Sequence, residues 1–310
     1  MTRTIEKPLL VLVGPTAIGK TALSIELAKE YNCEIISMDS MQIYKHMNIG
    51  TAKVTEEEQK GIPHHLIDIV TPDEDYDAAR FCKDAILVID EIHGRGKIPL
   101  LTGGTGLYLQ ALTEGLFQGP PGDKAVRDKL QKELDQTDPV TMHKKLEQID
   151  PESAQKIHSN DSYRTLRALE VFVMTSKPLS RHFNEQQQEY SFKNIHQIAL
   201  TSDRDKLYER INLRSEIMLK QGFEKEVREL LEMGYSRDLK SMGAIGYRHM
   251  VNYIFKEWDF NEMLRLLKRD TRRYAKRQYT WFNKNSSLNW FDVQDSVGIN
   301  KSIKEWLAKG

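Results

Sequence analysis

The first third of the chain is organised by short apolar runs, each ending at a glycine- or acid-bearing turn and each followed by a stretch of helical periodicity. Residues 9–13 (LLVLV) are apolar at every position, the pattern of a strand covered on both faces, and they run directly into Gly14. The stretch 21–31 places Leu23, Leu27 and Ala28 on one side, which predicts an amphipathic helix. A second strand is expected over 34–37, ending at Asp39. The weakly alternating segment 65–70 (HLIDIV) is a candidate third. A helical pattern covers 77–93 and is closed by Gly94. A fourth strand at 98–102 then enters Gly103-Gly104-Thr105-Gly106 and another helix. Strands alternating with helices predict an α/β fold, a parallel sheet with helices on both faces. Ligands of such sheets sit beyond the carboxyl ends of the strands. Gly14, Asp39 and the Gly103–Gly106 loop all fall at such ends.

The pattern changes at the breaker cluster 119–122 (GPPG). Helices are expected at 124–134, 140–148, 151–157 and 162–175, with no convincing strand among them and a polar stretch at 181–194. This predicts an all-helical insertion over 120–192, set into a core formed by 1–119 and 193–310. The chain then returns with a strand at 196–201 and helices at 203–222, 223–233 and 262–283. Asp203 is the N-cap of the first of these. A late strand at 288–293 and a closing helix complete the pattern.

Composition narrows the picture only slightly. Lys and Arg together number 45, as do Asp and Glu, so net charge names no partner and local clusters must do so. Cys33 and Cys82 lack CxxC spacing and read as small buried side chains. The first residues, MTRTIEKP, carry no apolar signal core, and no apolar run is long enough to span a bilayer. A cytoplasmic protein without a membrane partner is expected.

The chemistry starts at Gly14-Pro15-Thr16-Ala17-Ile18-Gly19-Lys20-Thr21, a complete phosphate-binding P-loop between strand and helix. Its glycines let the backbone fold around an anion, and amides at the helix start point at that anion. Lys20 adds positive charge, and the Thr21 hydroxyl is placed to ligate Mg2+. Asp39 at the end of the second strand either caps a turn through its side chain or serves the same crevice as a metal ligand or base. The Gly103–Gly106 loop is either a second anion nest, a close approach for a flat substrate, or a tight turn. Arg210 and Arg214 lie one helical turn apart, which suits a diphosphate, although on the residues alone a solvated face paired with Glu209 or Glu216 is the better explanation. Along 265–284, cations recur at 265, 268, 269, 272, 273, 276 and 277, opposed only by Asp270 and interleaved with Tyr274, Tyr279, Trp281 and Phe282. Such a helix can grip a phosphate backbone and offer rings to unpaired bases; alternatively, the rings are core anchors. Arg127, Arg164 and Arg167 would extend the same positive surface. His64 and His65 have no partners at metal spacing, so a structural role is expected.

These segments in order resemble the bacterial tRNA dimethylallyltransferase (tRNA isopentenyltransferase) family almost end to end. The resemblance rests on GPTAIGKT, on Asp39-Ser40-Met41-Gln42-Ile43-Tyr44 and on Ile49-Gly50-Thr51-Ala52-Lys53. It continues through Gly103–Tyr108, then Asn160-Asp161 with Arg164–Val171, Gly246-Tyr247-Arg248 and Ala275–Phe282. It implies a P-loop kinase-like core and transfer of a dimethylallyl group from dimethylallyl diphosphate to N6 of the adenosine 3′-adjacent to the anticodon, position 37. The P-loop would hold the donor diphosphate, with Lys20, Thr21-bound Mg2+ and Arg210 or Arg214 stabilising the departing charge, and Asp39 as base. No other metal is implied. The contacts to tRNA would come from Asp39, Ser40, Met41, Gln42, Thr105, Arg127, Tyr163, Arg164, Thr165, Leu166 and Arg167. They would extend to Gly243, Ala244, Ile245, Gly246, Tyr247 and Arg248, and to Lys276, Arg277, Gln278, Tyr279, Thr280, Trp281, Phe282 and Asn283. An anticodon stem-loop clamp of this kind requires no protein partner. A small-molecule or nucleotide kinase is the alternative for a P-loop fold, but it leaves the basic helix and the long insertion without a purpose.

Overall fold

The computed structural model describes residues 2–115, 122–185 and 189–309. The chain divides into two compact units, one spanning Arg3–Thr113 with Tyr190–Gly310 and the other centred on Glu114–Glu189.

The first unit is built on a parallel sheet. Strands β2 (Leu9–Val13), β3 (Cys33–Met38), β4 (His64–His65), β5 (Ile98–Gly103), β7 (Ile195–Thr201) and β8 (Asn289–Asp292) lie in the order β4-β3-β5-β2-β7-β8. Every pairing in it is parallel. All five residues of β2 are buried, as a central strand covered by helices requires. Helices α1 (Lys20–Glu30), α3 (Ala78–Gly94), α10 (Arg204–Lys220) and α13 (Phe260–Phe282) are the long ones that matter here. Leu10, Leu12 and Ile35 of the sheet pack in one cluster with Leu23 and Leu27 of α1, Leu207 and Ile211 of α10, and Ala275 of α13. The side chains of Asp77, Asp203 and Asp259 cap α3, α10 and α13.

Three elements differ from the sequence pattern. The strand expected over 65–70 is reduced to β4 and an isolated Tyr44–Val70 bridge, because Leu66 and Asp68 take left-handed backbone conformations that break the extended run. A short strand β6 (Tyr190–Phe192) pairs with β1 (Arg3–Ile5), which draws 190–192 into the first unit; the insertion ends at Glu189 rather than 192. At its other end the second unit begins at Glu114, and the expected break at 119–121 lies outside the described residues. Helix α12 (Tyr247–Ile254) is only eight residues long and carried too short a period to be foreseen.

The second unit holds α5 (Lys124–Gln136), α6 (Pro139–Ile149), α7 (Pro151–Lys156), α8 (Ser162–Thr175) and α9 (Leu179–Glu185) around Leu130, Met142, Leu146, Ala154 and Leu169. Asp123, Asp138, Asp150 and Asp161 each accept a backbone N–H at a helix start. Glu170, buried on α8, accepts from Arg127, Arg167 and the Asp123 amide. Among the described residues no helix is long and apolar enough to cross a membrane.

Candidate active site

β2 runs into Gly14, and the loop that follows turns on Ala17 and Gly19, both at positive φ, before α1 begins at Lys20. The Lys20 ammonium folds back and donates to the carbonyls of Gly14 (2.9 Å) and Pro15 (2.8 Å). Its burial pushes the pKa down to about 7; the Asp39 charge opposes the shift and the Arg214 charge adds to it. Arg214 reaches the same loop, donating from Nη1 to Thr16 Oγ1 at 3.3 Å, and burial lowers its pKa also. Arg210 sits beside Gly19: a Cβ built there would lie 3.4 Å from its Nη2. Its guanidinium has no side-chain partner among the described residues, so the solvated ion-pair reading of this face does not hold. Ile18, by contrast, is buried core, so that position serves the loop through its backbone alone.

Asp39 follows β3. Its Oδ1 accepts the amides of Met41 (2.9 Å) and Gln42 (3.4 Å), which makes it a turn cap, and this leaves Oδ2 for other work. The neighbouring Ser40 amide donates to Thr105 Oγ1 at 3.1 Å, tying this turn to the glycine loop after β5. Cap and crevice residue are therefore one side chain.

The glycine loop is a close approach to the protein's own α13. A Cβ at Gly104 would come within 2.2 Å of Gln278 Nε2, and one at Gly106 within 2.2 Å of Trp281. At Gly103 the same atom would fall 2.0 Å from the Met38 carbonyl. Gln278 is buried in this junction. It accepts the Thr16 amide at 2.9 Å and donates to the Gly104 carbonyl at 2.8 Å. P-loop, glycine loop and α13 are thus pinned by one carboxamide.

These groups border one cavity of about 710 Å3, which Lys20, Thr21, Asp39, Gln42, Arg210, Arg214 and Tyr274 all line. Burial and the Asp39 charge raise the Tyr274 pKa, so this hydroxyl stays protonated at neutral pH. Part of the wall is the turn 48–53, held by a carboxylate the sequence did not flag. Buried Glu226 accepts the amides of Asn48 (2.9 Å), Ile49 (2.6 Å) and Gly50 (3.0 Å) and the Tyr247 hydroxyl (2.6 Å). A Cβ at Gly50 would stand 2.4 Å from Phe223 and 2.5 Å from Tyr247, so only glycine fits. The signal in the sequence was the lone Glu at a core-facing helical position beside Phe223 and Val227.

The residues expected to meet tRNA separate into three groups by burial. Tyr163, Arg164, Gly243, Arg248, Lys276, Arg277, Thr280 and Asn283 are exposed, Tyr163 at 79%. Ser40, Met41, Gln42, Thr105, Arg167, Ala244, Ile245, Tyr279 and Trp281 are half-buried, and Arg127 is exposed yet paired with Glu170. The side chains of Thr165, Leu166, Tyr247, Gln278 and Phe282 are buried, as is Gly246. The expectation is corrected for these six: they shape the surface that their neighbours present. The basic helix is also selective. Lys268 pairs with Glu216, Arg265 with Glu262, and Arg248 and Arg269 with Asp270, which hydrogen bonds from Arg269 first hold well below its ordinary pKa. Among the described residues Lys276 has no such partner, and Arg277 lies over the Tyr274 ring at 5.7 Å. His65 meets the expected structural role, donating from Nε2 to the carboxylate of buried Glu34 at 2.7 Å.

A P-loop on a parallel sheet, opening with two arginines and a carboxylate on a single cavity, defines a phosphate-binding α/β enzyme. Comparison with known proteins narrows the class. The IPP transferase family model matches residues 42–285 and the isopentenyl transferase model residues 7–74. The tRNA dimethylallyltransferase of Desulfotalea psychrophila is 60% identical over 98% of this chain and 96% of its own; that of Acetivibrio thermocellus is 48% identical over 96% and 97%. Among solved structures, the full-length tRNA isopentenylpyrophosphate transferase of Bacillus halodurans superposes with a TM-score of 0.70 at 42% identity, covering 97% of this chain and 95% of that one. A eukaryotic dimethylallyltransferase acting on tRNA superposes with a TM-score of 0.77 at 31% identity, over 97% and 77%. The chain belongs to the tRNA dimethylallyltransferase family.

Proposed function

We propose that this protein transfers the dimethylallyl group of dimethylallyl diphosphate to N6 of the adenosine 3′-adjacent to the anticodon, position 37, in tRNA. The observation that carries the reading is the shared cavity: a P-loop with unpartnered Arg210 and half-buried Arg214 on one side, and Asp39 with a free carboxylate oxygen on the other. A P-loop recognises phosphate charge rather than adenine, so a diphosphate serves it as well as a nucleotide does. Lys20 is bound to the protein's own carbonyls at rest, and an entering diphosphate offers that ammonium a stronger, charged acceptor.

In the transfer, N6 attacks the allylic carbon, the bond from that carbon to the diphosphate oxygen breaks, and diphosphate leaves. The exocyclic amine is a weak nucleophile whose proton turns acidic as the new bond forms. Asp39 accepts that proton and passes it to solvent. Lys20, Arg210 and Arg214 face the negative charge growing on the leaving group. The residues present fit Mg2+: the Thr21 hydroxyl and Asp39 line the cavity beside Thr102, whose buried hydroxyl has no partner among the described residues. Thr21 would hold the ion, which would add positive charge at the diphosphate. The adenosine leaves its stack to reach the cavity, which costs least in a loop. Exposed Tyr163, Lys276 and Arg277 suit an anticodon stem-loop.

The test is incubation with unmodified tRNA, Mg2+ and dimethylallyl diphosphate, with and without ATP. One diphosphate released per prenylated adenosine, independent of ATP, is the expected result. Phosphorylation of a small acceptor from ATP, with no prenylation, would restore the kinase alternative.

A further inference from the structure

Glu226 is a buried carboxylate that the transfer step leaves unused. It stands on α11 (Phe223–Glu232), with the Asn48 and Ile49 amides on Oε2 and the Gly50 amide and Tyr247 hydroxyl on Oε1. Four donors suit a carboxylate, which only accepts, and not the isosteric carboxamide, which brings N–H groups of its own. The start of the turn 48–53 is therefore fixed to α11. The turn carries that anchorage forward, because the Ala52 amide donates to the Ile49 carbonyl (3.0 Å) and the Lys53 amide to the Asn48 carbonyl (2.9 Å). Its Thr51 and Ala52 carbonyls each receive Gln42 Nε2 at 3.4 Å, and the Lys53 ammonium donates to the Tyr44 carbonyl at 2.8 Å. The segment 39–44 is gripped at Gln42 and at Tyr44 as a result. Gln42 in turn donates its amide to Asp39 Oδ1 at 3.4 Å. A bonded path thus runs from Glu226 through the turn and Gln42 to the carboxylate at the cavity.

We propose that Glu226 is a positioning residue for the reaction, setting where the Asp39 carboxylate stands by holding the turn 48–53. The inference rests on the reading of Asp39 as base and adds to it the group that aims that base. Glu226 does not itself border the cavity, so it acts through the turn alone. A displacement of about 1 Å at a reacting group can lower a rate about 10²-fold, so even a partial slackening of the turn is visible in the chemical step.

The test is a double-mutant cycle on the single-turnover rate of adenosine prenylation at saturating enzyme and donor, where the folded fraction of a variant does not enter the rate constant. Glu226→Gln is expected to lower that constant about ten- to a hundredfold in the wild-type background. In Asp39→Asn, where no base remains to be aimed, it is expected to change the constant less than about twofold. Tyr247→Phe removes one donor from the carboxylate without adding a mismatched group, so it reports even if Glu226→Gln does not fold. A smaller loss, again confined to the chain that keeps Asp39, is expected of it. Equal factors in the two backgrounds mark a merely structural role and overturn the proposal. An unchanged rate in Glu226→Gln or, if that chain does not fold, in Tyr247→Phe overturns it too. An Asp39→Asn chain that prenylates as fast as the wild type would instead overturn the base reading.

Discussion

Gln278 Oε1 accepts the Thr16 amide at 2.9 Å, so a side chain of the basic helix α13 holds the P-loop. Its other end donates to Gly104, and α13 thereby shows two faces: Lys276 and Arg277 outward, Gln278 inward. Replacing Gln278 with Ala frees the half-buried Thr16 amide of the P-loop and leaves the buried Gly104 carbonyl unpaired, the latter at a cost of about 1–3 kcal/mol. The expected outcome is a donor KM raised by roughly tenfold or more with tRNA affinity retained, measured by steady-state kinetics and by a filter-binding titration.

Lys20 gives donor binding a proton linkage. With its pKa near 7 in the free protein, this amine is largely neutral at pH 8. A bound diphosphate favours the charged form and raises that pKa. Binding at pH 8 is therefore expected to take up close to one proton, and affinity is expected to fall as pH rises from 7 toward 9. Calorimetry in buffers of different ionisation enthalpy measures the uptake, which should vanish in Lys20→Met.

The ion pairs divide the cations of α13 into two kinds. Lys276→Ala and Arg277→Ala are each expected to weaken tRNA binding and to flatten its salt dependence by about one unit of log–log slope. Arg265 is held bidentately by Glu262, and Arg265→Ala should change that slope far less. Binding isotherms across a salt series compare the three.

Glu34 supplies an acid-sensitive part of the stability. Hydrogen bonds from Arg95, then His65 and Lys97, hold its pKa at about 2 against the cost of burial. A depressed carboxylate stabilises the fold above its unfolded pKa and loses that contribution as pH falls through the folded value. Stability is thus expected to drop between about pH 4.5 and 2, by up to about 3 kcal/mol from this group. Denaturation of Glu34→Gln should show lower stability at pH 7 and a flatter profile in that window.

Much of this was legible beforehand because it depends on local pattern. The run Leu9–Val13 before Gly14, the N-cap at Asp203 and the helix Ser162–Thr175 follow from periodicity and capping, which adjacent residues determine. The meeting of the P-loop, Asp39 and the glycine loop after β5 at one crevice followed from strand ends in a parallel sheet, whereas Arg214 reaches it from a helix. Glu226, Gln278 and Gly50 were not legible as a scaffold, since each works across the fold: Gln278 meets Thr16 at a separation of 262 residues. Motif membership marked Tyr247, Thr165 and Phe282 for RNA, but a motif records which residues recur and not which way they point. Their burial shows that part of such a signature is packing.

In the proposed mechanism the Asp39 carboxylate takes the N6 proton beside a P-loop-bound diphosphate. Asp39→Asn keeps the Oδ1 that caps Met41 and Gln42 while removing the base. Single-turnover formation of N6-dimethylallyladenosine, read by mass spectrometry of tRNA nucleosides at saturating donor and enzyme, tests it directly. A rate about 10²- to 10⁴-fold below wild type, with tRNA and donor affinities unchanged, is the predicted result. A variant that prenylates at the wild-type rate would contradict it.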